Sequence, residues 1–296
     1  MSLSFRELLK REDPLIFDGA MGTNLQERDL SGSFPLEKLN LSHPQIVKEV
    51  HTSFARLGVN VIETNTFGAN RIKLGKYGMS NLTEAINREG VRIAKEASSS
   101  SCLVGASVGP LGVLLQPWGA LTPEEASLAF EEQIRRVAME GVDLIVIETM
   151  MDVEEAKLAV SAAKRVCELP VVCQFTFGKE GKTLMGLDPL AIVEAMKDTE
   201  IDVLGANCSS GPESLFPVAQ RMCSLSPFPL IFQPNAGEPM LEGEKTVYPE
   251  SPEDMADWME KYVNIGVKIV GGCCGNTPSH IKAIIERIRG KIAHSS

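Results

Sequence analysis

Eight short apolar runs, each followed by a stretch of helical character, restrict what this 296-residue chain can fold into more than any other feature of it. They are Leu15 to Phe17, Val59 to Glu63, Leu103 to Val108, Leu144 to Glu148, Val171 to Phe177, Val203 to Gly205, Leu230 to Gln233 and Val267 to Gly271. Successive side chains of a strand point to opposite faces, so a run that is apolar throughout is covered on both. Such strands alternating with helices make a parallel sheet with the helices outside it. Eight βα units in series predict an α/β fold of the (β/α)8 (TIM) barrel type. No linker-like composition divides the chain, so one barrel domain over residues 1–296 is expected rather than a two-domain doubly wound protein.

The helical segments carry their own start signals. In Thr122-Pro123-Glu124-Glu125 the threonine can cap, proline suits the first helical position and the glutamates meet the positive end of the helix dipole. Ser251-Pro252-Glu253-Asp254 and Thr277-Pro278-Ser279 repeat the device, and Gly141 is a stop for the first of these helices.

The charge balance narrows the partners. A net charge of −10 and a pI near 5.1 argue against nucleic acid or an anionic membrane, either of which calls for a basic face. No apolar stretch is long enough to span a bilayer, and Met1 to Lys10 lacks the apolar core of a secretion signal, so a cytoplasmic location is expected. Seven cysteines, an odd number, read as thiols or ligands in a reducing compartment rather than as a disulfide framework.

In a barrel of this kind the chemistry lies at the C-terminal ends of the strands. The eighth run ends in Gly271-Gly272-Cys273-Cys274-Gly275. Both sulfurs reach one ion only if the backbone turns sharply there, which flanking glycines permit. Two thiolates do not complete a zinc site, which takes four ligands, or three and an open position when it is catalytic. Cys208, just past the sixth run, is the candidate for the third. The alternatives are a pair of small buried apolar residues, or a redox site in which Cys273 and Cys274 form a strained bridge. His43, His51, His280 and His294 fall in helical segments, as caps or surface residues, and none closes a strand. Three sulfurs without imidazole favour zinc over magnesium, calcium or non-haem iron.

Other strand ends are polar. Asp18 is a helix cap or a ligand-binding acid. Thr64 belongs to a cluster of small polar side chains that need partners, and a ligand could supply them. Glu148, after four apolar residues, is paired with a cation, either within the protein or as a substrate ammonium. Gln174, Thr176 and Phe177 read as barrel filling. Asn235 is a turn residue or a neutral oxygen donor to the metal.

Taken together, Asp18-Gly19-Ala20-Met21-Gly22-Thr23, Glu63-Thr64-Asn65-Thr66-Phe67, Glu148-Thr149, Asn207-Cys208, Pro234-Asn235-Ala236-Gly237 and Gly271 to Gly275 resemble the homocysteine S-methyltransferase family. The likeness is greatest to the homocysteine-binding domain of cobalamin-dependent methionine synthases, and it runs in family order from about residue 15 to about residue 280. The resemblance implies a (β/α)8 barrel with zinc held by Cys208, Cys273 and Cys274, and Asp18, Gly19, Thr64 and Glu148 around the amino-acid end of homocysteine. Betaine-using relatives place a tyrosine where this chain has Gly68, which leaves Asn235 as the resting fourth ligand. The implied reaction activates homocysteine as a metal-bound thiolate and methylates it to methionine. The implied donor is methylcobalamin, recharged from methyltetrahydrofolate on a corrinoid module elsewhere. A free-standing enzyme using S-methylmethionine or S-adenosylmethionine is the alternative, as is a homocysteine-binding module with no activity of its own.

Overall fold

The structure is a computed structural model that describes residues 3–28, 34–98, 102–178, 180–208, 210–243 and 245–295, without the side chains of 245 and 291–295, so the side chain of His294 lies outside it. Each apolar run forms a strand: β1 (Leu15–Ile16), β2 (Val61–Glu63), β3 (Leu103–Val108), β4 (Leu144–Met150), β5 (Val171–Phe175), β6 (Val203–Asn207) and β7 (Leu230–Gln233). Two short strands, β8 (Met240–Glu242) and β9 (Lys245–Val247), then pair as an antiparallel hairpin outside the barrel, before β10 (Ile269–Val270) completes it. The barrel strands are all parallel, in the order β1-β10-β7-β6-β5-β4-β3-β2. A bridge between Phe17 and Val61 joins the two ends. There the Asn60 N–H donates to Ile16 O (2.7 Å), the Asp18 N–H donates to Val61 O (3.1 Å), and Asn60 Oδ1 accepts from the Ile16 N–H (2.8 Å).

The helices begin as their sequences dictate. Thr122 and Ser251 each accept the backbone N–H three residues on, from Glu125 and Asp254, at 3.2 Å, opening the helices Pro123–Met139 and Pro252–Asn264. Two departures stand out. The hairpin 240–247 has no counterpart in the sequence reading; Met240 and Leu241 are exposed, so no buried face marks it as a strand pair. His51 is neither cap nor surface residue: it is fully buried in the helix Pro44–Ala55, and burial drops its pKa to about 3, which keeps the ring neutral. No helix among the described residues is long and apolar enough to cross a membrane.

Side-chain alternation divides the apolar residues into two bodies. Leu144 and Val146 of β4 join Val61, Leu103, Val172, Val203, Ile231 and Ile269 inside the barrel, and Phe5 and Phe17 pack edge to face at 6.1 Å within that cluster. Ile145 and Ile147 face the other way, into the layer between strands and helices. The period of two therefore carries the inward series onward to Glu63, Ser107, Glu148, Gln174, Asn207 and Gln233, at or near the C-terminal ends of six strands. A polar layer closes the top of an apolar barrel.

One loop above this layer is held by a buried acid. Glu155, on the helix Val153–Val166, accepts the Leu111 N–H at 2.7 Å and so pins the segment after β3. Burial pushes its pKa up to about 7 against the pull of that hydrogen bond. An unfolded glutamate titrates near 4.3, so the native state holds the proton more tightly. The associated stability is complete below about pH 4 and is lost as pH rises through 7, an effect of about 4 kcal/mol by linkage. Glu155→Gln retains an acceptor without titrating. Urea unfolding between pH 5 and 8 should show the variant gaining on the parent as pH rises; a pH-independent difference contradicts this.

Candidate active site and metal centre

The polar layer is a connected network. Gln174 Nε2 donates to Gln233 Oε1 (2.8 Å), and Gln233 Nε2 donates to Glu63 Oε1 (3.0 Å). Ser107 Oγ donates to Glu148 Oε1, and Asn207 Nδ2 donates to Glu148 Oε2 and to Thr149 Oγ1, both at 2.9 Å. Asp18, just beyond β1, accepts the Glu63 N–H on Oδ2 (3.0 Å). Glu63 and Glu148 thus line one pocket with Asp18 bonded behind Glu63, and no pocket-lining residue among those described is basic. Burial is the leading cause that raises all three pKa values, and mutual repulsion adds to it for Asp18 and Glu63. A cation delivered by a ligand relieves that cost.

The sulfurs converge beside the acids. Cys208 follows β6 in the left-handed region (φ 59°), with its N–H donating to Gln233 O (3.1 Å). Cys273 and Cys274 follow β10: the Cys273 N–H donates to Pro234 O (2.9 Å), and Cys274 O accepts from the Ala236 N–H (2.9 Å). The expected sharp turn is there, completed by Gly275 at φ 80°. All three sulfurs lie within 4.8 Å of one another, and Cys208 Sγ to Cys274 Sγ is 4.0 Å. Sulfurs bound at about 2.3 Å around a tetrahedral zinc are about 3.8 Å apart, so this spacing fits one ion. None of the three cysteines is in a disulfide. Hydrogen bonds from Cys208 and Cys273 pull Cys274 down to about 3, while the same contacts push Cys273 up.

Asn235 lies just behind the sulfur loops and is almost fully buried. Its backbone N–H donates to Ser210 O (3.1 Å), yet its Oδ1 has no hydrogen-bond partner. A buried amide oxygen without a donor is costly, and a nearby cation resolves it.

The cavity between sulfurs and acids is about 240 Å3. Gly19, Thr64, Glu148 and all three cysteines line it, and Asp18 sits directly beneath. A side chain at Gly19 is excluded, since a Cβ would come 2.7 Å from Asn276 O. The Thr64 hydroxyl is already engaged in the wall: it accepts the Ser107 N–H (3.1 Å) and pairs with Thr66 Oγ1 (2.6 Å), whose own proton goes to Ser107 O. Thr64 therefore shapes the pocket more than it offers a donor. The sequence reading overlooked Glu63, Ser107, Asn207 and Gln233 as site residues, although the inward period of two reaches each of them. It also overlooked Glu37, which lies in the short 3-10 helix Leu36–Lys38 and accepts the Gly68 N–H at the pocket edge (2.5 Å). No sequence period marks Glu37.

The sequence model of the family described as homocysteine S-methyltransferase matches residues 15–288. The methionine synthase of Mycobacterium tuberculosis is 30% identical over 292 residues, covering 93% of this chain and 24% of that protein. The methionine synthase of Mycobacterium leprae is 29% identical over 294 residues, with the same shares. The chain thus spans about a quarter of the length of these relatives. Among solved structures, the homocysteine methyltransferase MmuM of Escherichia coli in its metallated form superposes with a TM-score of 0.81 at 23% identity, over 95% of this chain and 99% of that one, which establishes the barrel fold. With the family model running from the first barrel strand into the last helix, this chain belongs to the homocysteine S-methyltransferase family.

Proposed function

We propose that this chain is a zinc-dependent methyltransferase that takes homocysteine as its thiol substrate and returns methionine. The observation that carries the reading is the placing of three sulfurs, within 4.8 Å of one another, in one cavity of about 240 Å3 with Glu63 and Glu148, and with buried Asp18 bonded to the Glu63 backbone. Cys208, Cys273 and Cys274 would hold the ion, with Asn235 Oδ1 as the neutral donor that yields to substrate. A zinc ion held there supplies a Lewis acid that lowers the pKa of the substrate thiol from about 8.5, giving a thiolate able to attack a methyl group.

The protein's own groups do the rest. Glu148 and Asp18, with Glu63 between them, receive the substrate ammonium, whose charge relieves their repulsion. Asn207 ties the two halves together: its Nδ2 bonds Glu148 and stands 4.0 Å from Cys273 Sγ, and its Oδ1 accepts the Thr149 N–H (2.8 Å). Substrate sulfur and ammonium are thereby held in a fixed relation, leaving the methyl donor to approach from the mouth. The cavity fits an amino acid and is too small for a macrocycle. A corrinoid carried elsewhere, recharged from methyltetrahydrofolate, therefore presents its methyl group from outside. The length of the methionine synthase relatives supports this donor over S-methylmethionine or S-adenosylmethionine.

Replacing Cys208, Cys273 or Cys274 by alanine should abolish zinc retention and homocysteine methylation while circular dichroism reports an intact barrel. Stoichiometric zinc and a parental rate in any of the three would remove that residue from the ligand set. Glu148→Gln should keep its zinc but bind homocysteine about 10- to 100-fold more weakly, the loss expected for a charged hydrogen bond. Calorimetric titration with homocysteine decides it, and unchanged affinity makes Glu148 structural. Homocysteine binding without turnover on methylcobalamin or S-methylmethionine would identify a binding module instead.

A further inference from the structure

Gln174 is not among the residues that line the cavity, yet it is fully buried and begins a relay of side-chain amides that ends in the cavity wall. Its Nε2 donates to Gln233 Oε1 (2.8 Å), and Gln233 Nε2 donates to Glu63 Oε1 (3.0 Å). The relay runs from β5 to β7 to β2, none of which is next to another in the sheet, so it crosses the barrel. It can do so because the register partner of Gln174 on β6 is Gly205, where a Cβ would come 1.8 Å from Ile231 O. No side chain of β6 stands at that level between the two glutamines. The direction of the relay is fixed by its far end. A carboxylate only accepts, so Gln233 turns its Nε2 to Glu63 and its Oε1 to Gln174, and Gln174 answers with its own Nε2. What remains is Gln174 Oε1, buried and without a hydrogen-bond partner. An acceptor left so is a cost, and turning both amides round would bond it. That arrangement presents Gln233 Oε1 to Glu63 and demands a proton on the carboxyl.

Gln233 is tied to the sulfur end as well. Its backbone O accepts the Cys208 N–H (3.1 Å), and the O of Pro234, the next residue, accepts the Cys273 N–H (2.9 Å). Burial and the charges of Glu148 and Asp18 raise the pKa of Glu63, and the Gln233 amide pulls against them. We propose that Gln174 is a positioning residue of the substrate pocket: by setting the Gln233 amide it holds Glu63 as an aligned acceptor, and so makes the site select thiols that carry an α-ammonium. The proposal rests on the reading of the carboxyls as the seat of the substrate ammonium. Without Gln174 Nε2, the Gln233 amide is free to present either end to Glu63, and the direction of the relay is lost. The wall then offers the ammonium one aligned carboxyl in place of two, Glu148, which is held by Ser107 and Asn207.

4-Mercaptobutanoate is homocysteine without its amino group, so the ratio of the two dissociation constants reads the ammonium subsite apart from the sulfur and carboxylate ends of the ligand. Calorimetric titration of the zinc-loaded full chain with each thiol supplies that ratio. Gln174→Met keeps the length of the side chain and removes its amide. It should weaken homocysteine about 10-fold, the low end for a hydrogen bond to a charged group, and leave 4-mercaptobutanoate unchanged. In a Glu63→Gln background the same change should have no further effect on the ratio, because Gln174 acts only through that carboxyl. Should the methionine variant not fold, Gln174→Asn, whose amide falls one methylene short of Gln233, takes its place. Equal weakening of both thiols, an unchanged homocysteine affinity, or the full loss over again in the Glu63→Gln background would overturn the proposal. A parent protein that binds the two thiols equally would overturn the ammonium reading and this inference with it.

Discussion

Everything about this site follows from placing three thiols around one cavity with Glu63 and Glu148 in its wall and Asp18 bonded to the Glu63 backbone, and no basic side chain among the described residues that line it. Groups of like sign cannot all ionise in a low-dielectric space. Burial raises Asp18, Glu63 and Glu148, and the sulfurs divide between a depressed Cys274 and a raised Cys273. Two cations satisfy this arrangement, a soft one at the sulfur end and an ammonium at the carboxyl end. An amino acid bearing a thiol has the right two groups to join them.

The barrel concentrates this charge without losing its fold because the apolar layers below are complete. The inward side chains of β2 to β7 change from aliphatic to polar within one step of the period, or within two by way of Gly105 in β3 and Gly205 in β6, and the polar ring so formed is internally hydrogen-bonded. Strain is confined to the same place. Thr149 and Cys208 are the two non-glycine residues with positive φ among those described, at 60° and 59°. Each directly follows a residue of the ring, Glu148 and Asn207, and the Asn207 amide holds the Thr149 backbone. Conformations of this sort cost about 1–3 kcal/mol and persist only where surroundings enforce them. Here they bring Thr149, near the end of β4, and Cys208, just after β6, to the cavity wall.

Much of this was legible in the residues themselves. Continuous apolar runs are a strong mark of buried parallel strands, and all eight formed. Cys208, Cys273 and Cys274 stood out because a sulfur next to a strand end in a barrel has few structural reasons to be there. Asn207, Ser107 and Gln233 were harder to read, although their strands were correctly placed. The apolar run of the sixth strand ends at Gly205, two residues before the strand itself does, which hides Asn207 from the inward series. Gln174 was read as filling because its partner, Gln233, is 59 residues away. Glu37 lies in a single 3-10 turn, Leu36–Lys38, whose position depends on tertiary anchoring that no period encodes. The sequence makes His51 a helix cap or a surface residue; its burial comes from the helix face it shares with Val47, Val50 and Phe54.

The account stands on a single ion held by three protein sulfurs with one position left for substrate. X-ray absorption at the zinc edge counts sulfur neighbours directly. It should find three sulfurs and one lighter atom in the resting protein, and four sulfurs after homocysteine is added. A shell that does not change with homocysteine, or one with fewer than three sulfurs at rest, would contradict it.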